Sequence, residues 1–543
     1  MRPGLGAGAG LRPAVRPESG GILQLFRRDV LADEIFVHGA PKGSGRLRVA
    51  LLFPSSYAVG MANLAVQSLY RLFNDHGDVL CERVFCPGIP EQDRRRDDTL
   101  RSLEHDTALG AFDVIAITSS YELDWLNIPA VLEEGGVPVL SADRTLHSPI
   151  VLAGGPAITA NPQPLAPIAD ALFIGEIEPV VGPLIDLLLT HDRGSEEGRE
   201  ALLEGLTTIG GFYVPALDEQ ELPVSRIALS NVDAVPTTTE VLSPHSEFPS
   251  TFLIETGRGC PRGCRFCLAR QIYAPLRNRS AEAIIESARE GLQRTSRIGL
   301  VGAAVADHPE IERIATEIVS MGGKVSTSSL RAEGVTPELL AALAASGQRT
   351  ITLAPETADP ELADIIGKRM DYQVVRNALQ MAAEVGLTDV RLYFLLGLPQ
   401  ETDAAIEPTV EFLERLEAEV PGIHLTASVN ALVPKPHTEF ARIAVPDPGH
   451  VQNRMRRLSK AVRAATRTDV RASSARASAI QTVLGRGGRE LTPILIEAAG
   501  GGPGDFERAL REAGLRVEEY LAEQPDALPW DVVGDCLLRE ARL

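Results

Sequence analysis

The chain has 543 residues, too many for one ordinary hydrophobic core, so two or three domains are expected. Its 73 acidic against 53 basic residues leave a net charge of −20, which gives no support to non-specific binding of nucleic acid or anionic membrane. No apolar run approaches the roughly 20 residues that span a bilayer, and the Gly-, Ala-, Pro- and Arg-rich start lacks the apolar centre of a secretory signal. Residues 1–46 therefore read as a disordered tail and lead-in, and the protein as cytoplasmic.

From residue 47 onwards short apolar runs alternate with helix-length segments. Residues 47–53 (LRVALLF) form a continuous apolar run ending at Pro54, which suits a strand buried on both faces. A helical stretch follows over about 61–73, and apolar runs recur at 79–85, 112–118, 150–153 and 171–174. The alternation predicts a parallel, doubly wound sheet over 47–195. Residues 196–250 carry charge, several prolines and the turn-like Ile209-Gly-Gly-Phe212, and read as a connection with little core of its own. A second series starts at 251–255 (TFLIE) and continues with strands at 298–301, 324–328, 350–353, 389–396 and 423–429, fitting a partial or full β/α barrel over 251–446. Residues 447–543 read as a helical extension with Gly-rich breaks at 485–488 and 500–504.

Three of the six cysteines fall in Gly257-Arg-Gly-Cys-Pro-Arg-Gly-Cys-Arg-Phe-Cys267, directly after the first barrel strand. This C-x3-C-x2-C spacing gathers three thiolates, the ligands that iron–sulfur clusters select. A cubane cluster has a fourth iron, which three local thiolates leave open to a chelating small molecule. Glycines at 257, 259 and 263 let the backbone curl around such a cluster. The competing reading, structural zinc, wants a fourth ligand from a second pair, and no downstream C-x2-C or H-x3-H supplies one. Cys81, Cys86 and Cys536 read as buried hydrophobes.

The cysteine loop, with Phe266 before its last cysteine, resembles that of the radical S-adenosylmethionine (radical SAM) superfamily. Leu395-Leu-Gly-Leu-Pro-Gln-Glu-Thr402 is similar to that family's segment after strand five, which implicates Gly397 and Pro399 in cofactor binding. Glu356, in Ala354-Pro-Glu-Thr357, stands where the family places a polar residue on the SAM ribose. Ser329 and Arg331, in Ser328-Ser-Leu-Arg331, close strand three, and Arg331 suits the SAM carboxylate. A strand-end ion pair would give Arg331 and Glu356 the same look in sequence. The order of the whole chain resembles radical SAM proteins with an N-terminal cobalamin-binding-type domain. Gly154 and Gly155 in Val151-Leu-Ala-Gly-Gly-Pro156, and Gly175 and Glu176 in Ile174-Gly-Glu-Ile-Glu178, are similar to the nucleotide-loop stretches of that subgroup.

The resemblance implies an α/β protein: an N-terminal Rossmann-like, flavodoxin-like parallel sheet, a partial (β/α)6 radical SAM barrel and a helical C-terminal region. It implies a 4Fe–4S cluster on Cys260, Cys264 and Cys267, with SAM at the open iron and cobalamin on the first domain. Reduction by a low-potential donor such as flavodoxin or ferredoxin would cleave SAM and give a 5′-deoxyadenosyl radical, coupled to methyl transfer or rearrangement on an organic substrate. Two departures stand out. The family's Gly-Gly-Glu after strand two is replaced by Gly302-Ala-Ala-Val-Ala-Asp-His308, with Asp307 the nearest substitute for the amino-group ligand. No D-x-H-x-x-G run supplies a histidine to cobalt. Competing readings are a radical SAM enzyme without cobalamin and an iron–sulfur sensor or scaffold. His308 and His437 read as solvated loop residues. The arginines at 258, 262, 265, 270, 277 and 279 read as salt-bridged charge rather than an RNA surface.

Overall fold

A computed structural model describes residues 27–40, 42–86, 100–217 and 222–541; of the tail and lead-in expected over 1–46, residues 1–26 lie outside the described residues, while residues 27–33 are helical and Ile35–Phe36 pair with Val241–Leu242. The first sheet comprises β1 (Leu47–Phe53), β2 (Val79–Phe85), β3 (Val114–Thr118), β4 (Ile150–Gly154) and β5 (Ala171–Phe173), edged antiparallel by β6 (Phe212–Tyr213). The order β2-β1-β3-β4-β5 with parallel neighbours is the flavodoxin-like one, whose ligands lie beyond the carboxyl ends of the strands. β1 needs no polar face because both its faces are covered. Val49 and Leu51 enter the layer holding α1 (Leu64–Asp75), while Ala50 and Leu52 enter the opposite layer with Trp125 and Leu132.

The segment expected as a bare connection contributes more than a link. Leu202, Leu206, Phe212 and Ile227 are buried in the α1 layer, and β7 (Val224–Leu229) forms a parallel pair with the far C-terminal strand, as described below.

The barrel is built from β8 (Phe252–Arg258), β9 (Arg297–Gly302), β10 (Lys324–Thr327), β11 (Ser329–Leu330), β12 (Thr350–Glu356), β13 (Asp389–Leu396) and β14 (His424–Ala431). All pair in parallel, and an interruption at Ser328 divides the third strand into β10 and β11. Residues at alternate positions, such as Ile351, Leu353, Val390, Leu392, Leu425 and Ala427, pack outward against helices in one core. The intervening residues face the lumen.

The C-terminal region is mainly helical, as expected, but adds two strands. β15 (Asp469–Ala472) extends the barrel beside β14, and β16 (Val533–Arg539) pairs with β7. Its helix α2 (Ala475–Arg486) buries Ala479, Ile480, Val483 and Leu484 against the first domain, completing the layer that holds Trp125. Of the remaining cysteines, Cys81 is fully buried, as expected, whereas Cys86 and Cys536 are only partly so, because each ends or edges a strand. No helix among the described residues is long and apolar enough to cross a membrane.

Candidate functional site

β8 ends at Arg258, and Gly259 turns the chain with φ +85° into the cysteine loop; a Cβ there would lie 2.7 Å from the Tyr273 carbonyl oxygen. Cys264 is buried, while Cys260 and Cys267 are half-buried. The loop is clamped by the segment after β12: the Arg265 N–H donates to the Ile366 carbonyl at 2.9 Å, and Gly367 packs on the Gly263 backbone. Phe266 lies against an apolar cluster of Leu362, Ile366, Leu398, Leu432 and Phe440, which roofs the barrel mouth beside the thiols. Among the described residues no three His, Cys, Asp or Glu side chains converge on a point fit for a single metal ion. Thiolates of a cubane each bind a different iron and need no such convergence. The donor set therefore fits a cluster: three thiols, one loop, one apolar roof.

Local sequence explains how cations reach these thiols. Asp359 caps the short helix Pro360–Ile365 through the N–H groups of Glu361 and Leu362, and Pro360 occupies its first position. Gly367, at φ +66°, ends it, and the Lys368 N–H returns to the Ala363 carbonyl. That reversal carries Lys368 back inward, where its Nζ donates to Glu356 Oε1 at 2.8 Å, both side chains being about nine-tenths buried. Glu356 holds a left-handed φ of +67°, a conformation uncommon for a non-glycine residue and concentrated at functional sites. Burial raises the Glu356 carboxyl, with Lys368 and Arg331 opposing; burial likewise raises the Cys264 thiol, with Lys368 and Arg331 pulling it back. Arg331 pairs with Glu333 at 3.0 Å, and its Nε is buried without a hydrogen-bond partner. Ser329 is exposed on β11. Lys368 was not singled out from the sequence; the only signal was a Gly-Lys at the end of a capped helix.

Gly397 follows β13 with φ +80°, and its N–H donates to Glu401 Oε2 at 2.6 Å. Arg454 donates to the same carboxylate at 2.6 Å, so Glu401 ties the Gly397–Pro399 turn to the helix Pro448–Ala465. Asp307, the expected substitute for the amino-group ligand, is engaged by Arg262 of the cysteine loop. Its carboxylate is thus occupied inside the protein.

On the other side of Gly259 lies a cavity of about 370 Å³, within the range of small-ligand pockets. Its first-domain wall is Thr118, Ser120, Gly154, Gly155, Gly175 and Glu176; its barrel wall is Gly257 to Gly259 with Val301 to Ala303. Its depth is apolar, between α1 (Leu69, Leu72) and the sheet (Ala116, Leu152, Phe173), and the Ser68 hydroxyl there is buried without a partner. Such a slot at the carboxyl ends of a doubly wound sheet fits the flat, largely apolar base of a corrinoid tail; the larger macrocycle would stand at the mouth. The glycines, however, do not all serve ligand approach. A Cβ on Gly155 would meet the Ser119 carbonyl oxygen at 2.4 Å, and one on Gly175 the Ile227 carbonyl oxygen at 2.1 Å, so these two admit neighbouring backbone. Gly154 alone has only ordinary contacts.

Glu176 also departs from its expected role as a cofactor contact. Its carboxylate accepts from Arg277 at 2.7 and 2.9 Å, from Arg258 at 2.9 Å and from the Leu229 N–H at 2.8 Å. Arg258 further pairs with Glu178 at 2.5 Å and Glu255 at 3.0 Å, and Arg279 with Glu255 at 3.1 Å. This buried network joins the two domains. Against burial, which would raise them, Arg258 and Arg277 hold Glu176 below the usual carboxylate range, and Arg258 and Arg279 do the same for Glu255. The outer arginines are paired as well: Arg265 and Arg270 reach Glu439 at 3.2 and 3.5 Å. The histidines correct the sequence expectation. His308 is buried with Nε2 2.8 Å from the Arg279 carbonyl, and His437 is bonded at 2.9 Å to the Ala160 carbonyl of the first domain, burial lowering its pKa.

Residues 254–413 match the radical SAM superfamily, and residues 65–215 match the N-terminal region of radical SAM proteins. An uncharacterised protein of Methanocaldococcus jannaschii is 29% identical over 400 residues, covering 72% of this chain and 78% of its own length. An uncharacterised methyltransferase of Pyrococcus horikoshii is 26% identical over 322 residues, 56% of this chain and 67% of that one. Among solved structures, the radical S-adenosylmethionine methyltransferase TsrM of Kitasatospora setae, with cobalamin and a 4Fe–4S cluster bound, gives a TM-score of 0.49 at 15% identity, covering 71% of this chain and 72% of that one. The cobalamin-dependent S-adenosylmethionine radical enzyme OxsB gives 0.48 at 16% identity over 73% and 54%.

Proposed function

Because this chain belongs to the radical SAM superfamily, we propose that it is an enzyme that cleaves S-adenosylmethionine reductively at a 4Fe–4S cluster held by Cys260, Cys264 and Cys267. The observation that carries the proposal is the three-thiol loop at the carboxyl end of the first barrel strand, with Lys368 and Arg331 beside the buried Cys264. The bound cofactors supply an electron and a 5′-deoxyadenosyl group able to abstract hydrogen; the chain supplies placement. Arg331 offers a fork to a carboxylate at the end of the third strand. Lys368 and Glu356 pair beside it, and Glu401 braces the Gly397 turn. Phe266 of the cysteine loop packs into an apolar cluster, which restricts water on that side of the loop.

The cavity between the domains supports a corrinoid on the first domain, with its tail in the slot beneath α1. A methyltransferase among the relatives favours methyl transfer as the coupled outcome. The test is anaerobic reconstitution of the full chain, expected to give about four irons, and release of 5′-deoxyadenosine from SAM under reduction. Cys264→Ala should lose both, and wild type releasing none would leave the sensor reading. Expression with cobalamin should yield corrinoid absorbance in the purified protein; its absence would leave the radical chemistry without the corrinoid.

A further inference from the structure

The lumen of the barrel holds a cation that the protein leaves unanswered. Closed β/α barrels fill this space with layers of branched apolar side chains, but here two inward rows across β12, β13 and β14 are polar. Register aligns Thr352, Arg391 and Thr426 in one row across β12, β13 and β14, with Tyr393, Ser428 and Arg471 in the next. All but Arg471, which is exposed, are half-buried. The Arg391 side chain makes no hydrogen bond or ion pair to any described residue, and its Nε is shielded from water without an acceptor. Leaving a shielded donor unpaired is costly, and such groups call for an explanation. The two carboxylates nearest in register, Asp389 and Asp469, both turn to His424, each at 3.5 Å. The contrast with the arginines around the cysteine loop is direct, since each of those has a carboxylate.

We infer that Arg391 binds an anionic group of the substrate, a carboxylate or a phosphate, inside the barrel lumen. The inference rests on the radical SAM reading only in calling that anion part of the substrate; the anion site itself does not depend on it. A guanidinium fork takes either group in two parallel hydrogen bonds, and the hydroxyls of Thr352 and Thr426 flank it. Arg391 precedes Leu396, where the strand reaches the cofactor end, by five residues, or about 17 Å of strand. The substrate is therefore elongated, with its anion held deep and its reacting carbon nearer the mouth.

The experiment titrates the anaerobically reconstituted full-length protein calorimetrically with inorganic phosphate and, separately, with acetate, ionic strength being matched with chloride. Wild type is expected to bind at least one anion saturably, a phosphate preference indicating a phosphorylated substrate and an acetate preference a carboxylate. Arg391→Gln should weaken that binding about ten- to a hundredfold, with circular dichroism checking its fold. Arg289→Gln, at an exposed arginine on the outer helix Ala281–Gly291, should not change it. If Arg391→Gln is insoluble, Arg391→Lys, which keeps the charge but loses the fork, should still weaken it. No saturable binding by wild type, or equal binding by the Arg391 variants, would overturn the inference. Anion binding that persists in protein unable to release 5′-deoxyadenosine would sink the radical chemistry while leaving the lumen site intact.

Discussion

Two polar regions meet at Gly259 and Cys260, and they are built in opposite ways. Towards the first domain, Glu176, Glu178 and Glu255 close on Arg258, Arg277 and Arg279, so that every charge has an opposite partner, although the Arg279 Nε lacks an acceptor. Towards the barrel mouth and lumen, three thiols, the Nε of Arg331 and the side chain of Arg391 remain open. A closed network fixes one geometry because any opened charge is left buried and unpaired. An open set is tolerated where a ligand completes it. The difference teaches which charged residues hold the domains together and which wait for chemistry.

Substitutions on the two sides should separate accordingly. The largest effect on folding is expected from Glu176→Ala, which leaves Arg277 without a carboxylate and removes one of the three around Arg258, and which should cost about 3–5 kcal/mol, seen as a fall in the first thermal unfolding transition. Next comes Gly155→Ala, which combines a forbidden φ with a backbone clash and should cost about 1–3 kcal/mol; Gly154→Ala beside it should change the midpoint little. On the open side, Lys368→Met should lower 5′-deoxyadenosine release about ten- to a hundredfold while moving the unfolding midpoint less than Glu176→Ala. Equal losses of stability on both sides would erase the distinction.

The smallest effect concerns pH. Its hydrogen bond to Glu240 raises the pKa of His38 above 6.5. A raised folded pKa gives stability that is complete below the unfolded value and lost as pH rises through the folded one. The stability difference between wild type and His38→Asn should therefore be largest well below pH 6.5 and shrink as pH rises above it, measured by thermal unfolding across that range.

Local pattern was enough for the strands of both sheets, because each is an apolar run bounded by turns, and for the cysteine loop, because its three cysteines lie within eight residues. What depends on contacts distant in sequence was not legible. Glu176 and Arg258 are 82 residues apart, and neither position marks the other. β15 and β16 are short strands of mixed polarity whose partners come from elsewhere in the chain, so their segment reads as helix alone. Gly155 and Gly175 looked like ligand-cradling glycines, and only the carbonyls of Ser119 and Ile227 reveal that they admit backbone. Arg391 stood in a predicted strand, yet its isolation is a property of the rows around it.

The central claim is an iron–sulfur cluster on Cys260, Cys264 and Cys267 with one iron left free for S-adenosylmethionine. Electron paramagnetic resonance of the reduced, reconstituted protein with and without S-adenosylmethionine tests it most directly. A cluster signal whose g values shift on addition of S-adenosylmethionine is the predicted result. A signal indifferent to it, or a fully protein-ligated cluster, would contradict the account.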